Sequence, residues 1–235
     1  MKIIYPDCIY SLSANSFDAE YPVANLLDDH PSKVWKAVAG VTTAILTIVT
    51  TGAVAGIHIA GTNAISGTVY VKNSTETVTH ETHTLAGTFG QFFVKFDAVY
   101  ASTLHIIVSL TSGTTVYAGI CRAGTLLSFP NPQYGLTQKR HDYSIKKELS
   151  NGGLYIYNRH TPRQYDLSFL MTYSEYNTID ALFIANGSIP LAFLIADEID
   201  SDDQWSGFFH IVDPPSAGYE YHSHLKCSFT LQEAV

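Results

Sequence analysis

The sequence predicts a mainly β protein in two parts. An N-terminal antiparallel β-sandwich spans residues 1–121, and a β-rich domain with one amphipathic helix spans 122–235. Three observations lead there. Residues 36–121 hold short runs rich in β-branched and aromatic residues, divided by Gly, Ser and Asn, with no helical period. Pro130, Asn131 and Pro132 give the middle of the chain the composition of a junction. Only 172–187 sets apolar residues at helical spacing beside cap signals.

The stretch Tyr21–Trp35 organises the first part. Pro22, Asn25, Asp28, Asp29, Pro31 and Ser32 favour turns, while Tyr21, Val23, Leu26, Leu27, Val34 and Trp35 are large and apolar. A loop with that many apolar groups should fold back onto a sheet end, with Trp35 as its structural anchor. Strands are then expected at Ala44–Thr50 and Val54–Ala60, broken by Gly52, and at Gly67–Lys72. Residues 73–84 are polar and Thr-rich, an exposed hairpin or loop. Phe89–Phe96, Thr103–Leu110 and Thr114–Cys121 complete the sandwich.

In the second part, Ser150-Asn-Gly-Gly153 is a turn signal. Leu154–Asn158 and Gln164–Met171 are expected to pair as a hairpin through Thr161-Pro162. Tyr165, Leu167, Phe169 and Met171 alternate with polar residues and should face a core. Thr172 and Glu175 form a capping box, Tyr176, Ile179, Leu182 and Phe183 share a helix face, and Asn186-Gly187 ends it. Strands at Ile189–Ala196, Trp205–Val212 and Tyr219–Leu231 follow, the last with Tyr219, Tyr221, Leu225, Cys227, Phe229 and Leu231 on one face.

Composition narrows the function classes. A net charge of −8 with no basic run argues against a direct grip on nucleic acid. The apolar run 34–60 is interrupted by Lys36, Thr and Gly, so it reads as strands rather than a membrane span. The N-terminus lacks the apolar core of a signal peptide. Cys8, Cys121 and Cys227 have no metal-site spacing and read as reduced, buried thiols. Charged residues are only 34 of 235, while Tyr and Phe number 15 and 12, which suits a surface covered by other subunits.

Site signals are sparse. Asn25, Asp28 and Asp29 offer oxygen ligands to a hard cation such as calcium, although turns and caps are the commoner jobs of such residues. His222 and His224 stand side by side on a strand face, where zinc or another transition metal would need a third ligand such as His210. The polar register of the strand explains them equally. His58 and His105 lie in apolar strands and read as structural. Asp197–Asp203 is an acidic tip between strands. Asp166, Asp180 and Glu198 make no recognisable catalytic pair, and no nucleophile motif is present, so no enzyme activity and no cofactor are expected. The sandwich loops show no sugar-stacking cluster near a basic residue. Lys139-Arg-His-Asp142 and Lys146-Lys-Glu148 read as a solvated or partner-facing arm.

The order Ser13-Ala14, then Tyr21-Pro-Val-Ala-Asn-Leu-Leu-Asp28, then Trp35 resembles the opening of discoidin-like, galactose-binding-like β-sandwich domains. It looks most like versions carried by bacteriophage tail-tip proteins. Gly56-Ile-His-Ile59, Leu104–Val108 and the approach to Gly119–Gly124 follow the same plan. Arg163-Gln-Tyr-Asp-Leu-Ser-Phe169, the 175–182 helix and the Leu-Gln-Glu-Ala ending resemble phage distal tail and baseplate proteins. The departure is domain order, since many of those place the ring-forming domain first. The resemblance implies a structural tail-tip component joining the tail tube to the hub, fibres or receptor-binding apparatus. It implies a homo-oligomeric ring, hexamer or trimer, made in the bacterial host cytoplasm and located in the virion. The alternative it carries is a carbohydrate-binding module contacting a host glycan.

Overall fold

The computed structural model describes residues 1–73, 79–86, 90–133, 136–148, 153–196, 205–221 and 223–234, with 73, 79–86, 101, 102, 220 and 221 described as backbone only. In chain order the strands are β1 Lys2–Asp7, β2 Ile9–Ala14, β3 Trp35–Lys36, β4 Thr43–Ala60, β5 Ser66–Asn73, β6 Thr79–Ala86, β7 Gln91–Thr111, β8 Tyr117–Ala118 and β9 Ile120–Ser128. Then come β10 Thr137–Arg140, β11 Ile145–Glu148, β12 Leu154–Tyr157 and β13 Arg163–Thr172, followed by helix α1 Tyr173–Asn186. The chain closes with β14 Leu191–Leu194, β15 Ser206–Ile211, β16 Ser216–Tyr221 and β17 His224–Glu233.

The chain divides into two compact units. The first comprises Met1–Phe129 with Leu191–Phe208, and the second Pro130–Pro190 with Phe209–Val235. The expected division at 121/122 falls inside β9, which runs unbroken to Ser128 between β1 and β4. The return of Leu191–Phe208 to the first unit rests on β14 pairing with β1. That long-range pairing leaves no mark in local composition.

The first unit is an antiparallel β-sandwich built on two long, bent strands. The first half of β4, Thr43–Thr50, pairs with β2 and with Leu104–Thr111 of β7. Its second half, Gly56–Ala60, pairs with β9 and with Gln91–Lys95 of β7. One layer therefore runs β2, β4, β7, β5, β6, and the other β14, β1, β9, β4, β7. Gly52, read above as a strand break, is instead a bulge within a single strand. Its φ of +91° is a left-handed value that suits glycine and lets the strand turn from one layer to the other. The two strands expected at Phe89–Phe96 and Thr103–Leu110 are likewise the ends of the single strand β7.

Alternation puts Leu46, Ile48, Ile57, Ile59, Phe92, Val94, Ile106 and Val108 into one core between the layers. Phe93 points the other way, into a smaller cluster with Ile4, Ala192 and Leu194. His58 is buried with its ring 5.7 Å from that of Phe93, and His105 is half-buried on β7. Burying a Leu- or Ile-sized side chain contributes about 1.5–3 kcal/mol, so the core between the layers dominates the stability of this unit.

In the second unit β13 lies between β10 and β17, and β17 pairs at its two ends with β15 and β16. Tyr165, Leu167, Phe169 and Met171 of β13 and Leu225, Cys227, Phe229 and Leu231 of β17 are buried. Phe169 and Phe229 stack at 5.3 Å. The capping box of α1 is complete, with the Glu175 amide donating to Thr172 Oγ1 at 3.3 Å and the Thr172 amide donating to Glu175 Oε2 at 2.7 Å. Ile179 and Leu182 are its buried residues.

Two expectations are corrected here. Tyr219 belongs to β16, which folds back on β17 with Tyr219 opposite Leu225, and it is 83% exposed. The two residues between these strands in sequence, His222 and Ser223, are polar and include no Gly or Pro, so the sequence reads straight through. Leu154–Tyr157 pairs with β11 rather than with β13, in a separate two-stranded hairpin whose eight strand residues are all exposed. The Ser150–Gly153 turn and the acidic tip at Asp197–Asp203 fall largely or wholly outside the described residues. Cys121 and Cys227 are buried free thiols, and Cys8 is only half-buried. No helix among the described residues is long and apolar enough to cross a membrane.

Candidate functional site

The loop from Asn15 to Val34 is laid against the sandwich by named contacts. Trp35 is fully buried, and its indole Nε1 donates to the Ser16 carbonyl at 3.2 Å. A short 3-10 turn at Val23–Leu27 buries Leu26. Asn25 Nδ2 closes the loop by donating to the Val34 carbonyl at 2.8 Å. The Pro31 carbonyl lies so close to Gly119 that a Cβ there would sit 2.4 Å from it, so only glycine lets the loop touch the strand.

Arg122 completes this arrangement from β9. Its guanidinium donates to the carbonyls of Leu26 at 3.1 Å, Cys121 at 2.9 Å and Asp28 at 3.1 Å. It also donates to Asp29 Oδ1 at 2.8 Å and packs 5.2 Å from the Phe208 ring centroid. Asp7 Oδ2 lies 3.6 Å from Nε. The buried cation thereby satisfies loop carbonyls that have no strand partner.

The three calcium candidates do not converge on one point. Asn25 serves Val34, Asp29 serves Arg122, and Asp28 binds Lys33 Nζ at 2.6 Å while accepting the His30 amide at 3.0 Å. Lys33 and then the His30 amide hold the Asp28 carboxyl below the usual carboxylate range. Of the two carboxylates, Asp29 is held through Oδ1 by Arg122 and Asp28 through Oδ2 by Lys33. His222 lies outside the described residues. His224 Nδ1 is 2.8 Å from Ser223 Oγ. His210 sits opposite Gln232, eight residues along β17 from His224, so about 27 Å separates the two positions. Among the described residues no three His, Cys, Asp or Glu side chains group as metal ligands.

The outer side of the same loop region carries a different constellation. In the β3–β8 pair, Trp35 lies opposite Ala118 and Lys36 opposite Tyr117. Directly opposed residues in an antiparallel pair share a face, so Trp35 and Ala118 enter the core while Lys36 and Tyr117 face outward. Lys36 Nζ lies 5.6 Å from the Tyr21 ring centroid, and the Lys36 amide donates to the Tyr21 carbonyl at 3.3 Å. Tyr21 and Tyr117 are 36% and 37% exposed. Two tyrosines thus flank one lysine. Asn63 braces the Tyr117 side, accepting the Tyr117 amide at 3.0 Å and donating to the Thr115 carbonyl at 2.8 Å.

This cluster corrects the expectation that no aromatic residues gather beside a basic one. Tyr21 and Tyr117 are 96 positions apart, and they meet at Lys36, which pairs with Tyr117 across β3–β8 and donates its amide to the Tyr21 carbonyl. Nothing local in the sequence announces that pair. Chemically, the patch offers two amphipathic rings for stacking and an ammonium group for hydrogen bonds to hydroxyls.

No family model matches the chain, and no curated protein matches it. Solved structures similar to it include the chitosan-binding module 1 of a chitosanase/glucanase from Paenibacillus sp. IK-5, at 18% identity over 49% of this chain and 94% of the module, TM-score 0.40. Another is the family 32 carbohydrate-binding module of Clostridium perfringens NanJ in complex with galactose, at 15% identity over 54% of this chain and 100% of that one, TM-score 0.42. A third is a Ruminococcus gnavus fucosidase in complex with fucose, at 14% identity over 50% of this chain and 25% of that one, TM-score 0.42.

Proposed function

We propose that the protein is a carbohydrate-binding module and not an enzyme, and that its sandwich unit contacts a host-surface glycan through Tyr21, Lys36 and Tyr117. The observation that carries this reading is the pair of partly exposed tyrosine rings on either side of Lys36, on a rigid two-strand platform anchored by buried Trp35. Tyrosine rings present large contact area at low entropic cost, and an ammonium group orients hydroxyls. A glycan array with the full chain tests it. Saturable binding to defined sugars, weakened at least tenfold by Tyr117→Ala and by Lys36→Ala, supports the reading, and silence across the array counts against it.

A second reading is favoured by the β11–β12 hairpin. Two-stranded hairpins are marginal alone in water, yet this one keeps Leu154 and Ile156 on one face at 61% and 48% exposure. Such a face gains stability by docking on a neighbour. With the low charge of the chain, this supports a structural component of a bacteriophage tail tip, a hexameric or trimeric ring between the tail tube and the hub or fibres. Native mass spectrometry at micromolar concentration tests it. A closed ring supports the reading, and a monomer both alone and mixed with tail-tube protein opposes it.

A further inference from the structure

The base of the β11–β12 hairpin, in the second unit, holds an open cleft of about 730 Å³ lined by Tyr143, Tyr157, Asn158, Arg159 and His160. We propose that this cleft binds an acidic saccharide, a sugar ring bearing a carboxylate or phosphate, at a site distinct from the Tyr21–Lys36–Tyr117 patch. The proposal does not rest on that patch binding anything.

The composition of the lining comes first. Every lining side chain has a polar group able to hydrogen bond, three of the five (Tyr143, Tyr157 and His160) are aromatic, and none is aliphatic or carboxylate. A cleft for a peptide anchor is a desolvated apolar pocket, which this is not. Tyr143 and Tyr157 are 45% and 54% exposed, so part of each ring is accessible to the C–H face of a sugar.

The charge of the cleft is positive and uncommitted. The Arg159 guanidinium lies 5.9 Å from the Tyr157 ring centroid and has no carboxylate partner among the described residues. A planar guanidinium held over a ring is suited to bidentate contact with a carboxylate or phosphate. The carboxylate adjacent in sequence to Tyr143, that of Asp142, is already engaged, by Lys146 Nζ at 2.8 Å and by the Ser144 amide at 2.9 Å. It therefore does not compete for Arg159.

The cleft is also braced from both sides. Gln232 Nε2 donates to Tyr143 Oη at 2.7 Å, tying the ring to β17. The His141 ring packs on Tyr143 with centroids 4.4 Å apart. The Arg159 amide donates to Ser144 Oγ at 3.1 Å, which joins the two segments lining the cleft. Tyr143, Tyr157 and Arg159 are thus brought together by contacts that a free loop would lack.

Isothermal titration of the full chain with hexa-galacturonic acid, against a neutral galactose hexamer, tests the proposal. Expected is saturable binding of the acidic oligomer alone, weakened by added salt and at least tenfold by Arg159→Gln. Tyr157→Ala should weaken it similarly, and because Tyr157 lies in a strand, Arg159→Gln outside any strand is the deciding variant. Lys226→Gln, which removes an exposed cation elsewhere in the unit, should leave affinity unchanged. No saturable binding, equal affinity for the neutral hexamer, indifference to Arg159→Gln, or equally tight binding of poly-glutamate would each overturn it.

Discussion

The Arg122 guanidinium donates to Asp29 Oδ1 at 2.8 Å, joining β9 to a loop 93 positions earlier in the chain. The two ends of this pair differ in burial, with the arginine side chain 9% exposed and the aspartate 52%. The exposed carboxylate contributes little, because water screens it. The loop carbonyls that share the guanidinium contribute most. Arg122→Ala should therefore lower stability by about 3 kcal/mol, since buried carbonyls lose a charged donor, whereas Asp29→Asn should cost less than about 1 kcal/mol. Urea denaturation of both variants measures the difference. Equal small effects would show that the loop is held by other contacts.

Trp35→Ala should cost about 3–5 kcal/mol, the range for truncating a fully buried large aromatic residue. Trp35→Phe keeps most of the packing and loses only the indole donor to Ser16, so about 1 kcal/mol is expected. Denaturation midpoints check both, and a near-zero shift for the alanine variant would place the ring in solvent.

We propose that the two compact units are separable domains, between which the chain crosses at Phe129–Pro130, Pro190–Leu191 and Phe208–Phe209. Arg122 is buried in β9, while Lys146, Lys147 and Arg159 are exposed around the hairpin. Brief trypsin treatment should cut at the hairpin and spare Arg122. First cleavage after Arg122, followed by mass spectrometry, would contradict the position of the junction.

Three surface carboxylates make a small, water-screened contribution to the acid response. Lys33 holds Asp28, Lys146 holds Asp142 and Lys139 holds Asp166 below the usual carboxylate range. A carboxyl depressed in the folded state contributes stability that is fully present above its unfolded value of 3.8 and is lost as pH falls through the folded value. Thermal melts should therefore be insensitive to these groups between about pH 5 and 7 and decline below about pH 4, less steeply in high salt. The Asp28→Asn, Asp142→Asn, Asp166→Asn triple variant should show a shallower acid limb, and an unchanged limb would assign acid sensitivity elsewhere.

What the sequence made legible follows the range of each signal. The capping box at Thr172 and Glu175 and the alternation of Tyr165, Leu167, Phe169 and Met171 are local, and both stand in the structure. Gly52 is equally local but ambiguous, because glycine serves a break and a bulge alike. The pairing of β14 with β1, the partner of β12 and the meeting of Tyr21, Lys36 and Tyr117 depend on contacts between distant segments. The candidate site lies wholly in that second class: in the sequence Tyr21 reads as an apolar group of the loop, Lys36 as an interruption of the 34–60 run and Tyr117 as part of the Thr114–Cys121 strand.

The most direct measurement of the central claim is a two-dimensional NMR titration of the isotopically labelled full chain with the strongest-scoring glycan of the array. The account predicts concentration-dependent shifts centred on Tyr21, Lys36 and Tyr117, absent in Tyr117→Ala. Saturable shifts that leave these three residues unmoved, or no shifts at millimolar sugar, would contradict it.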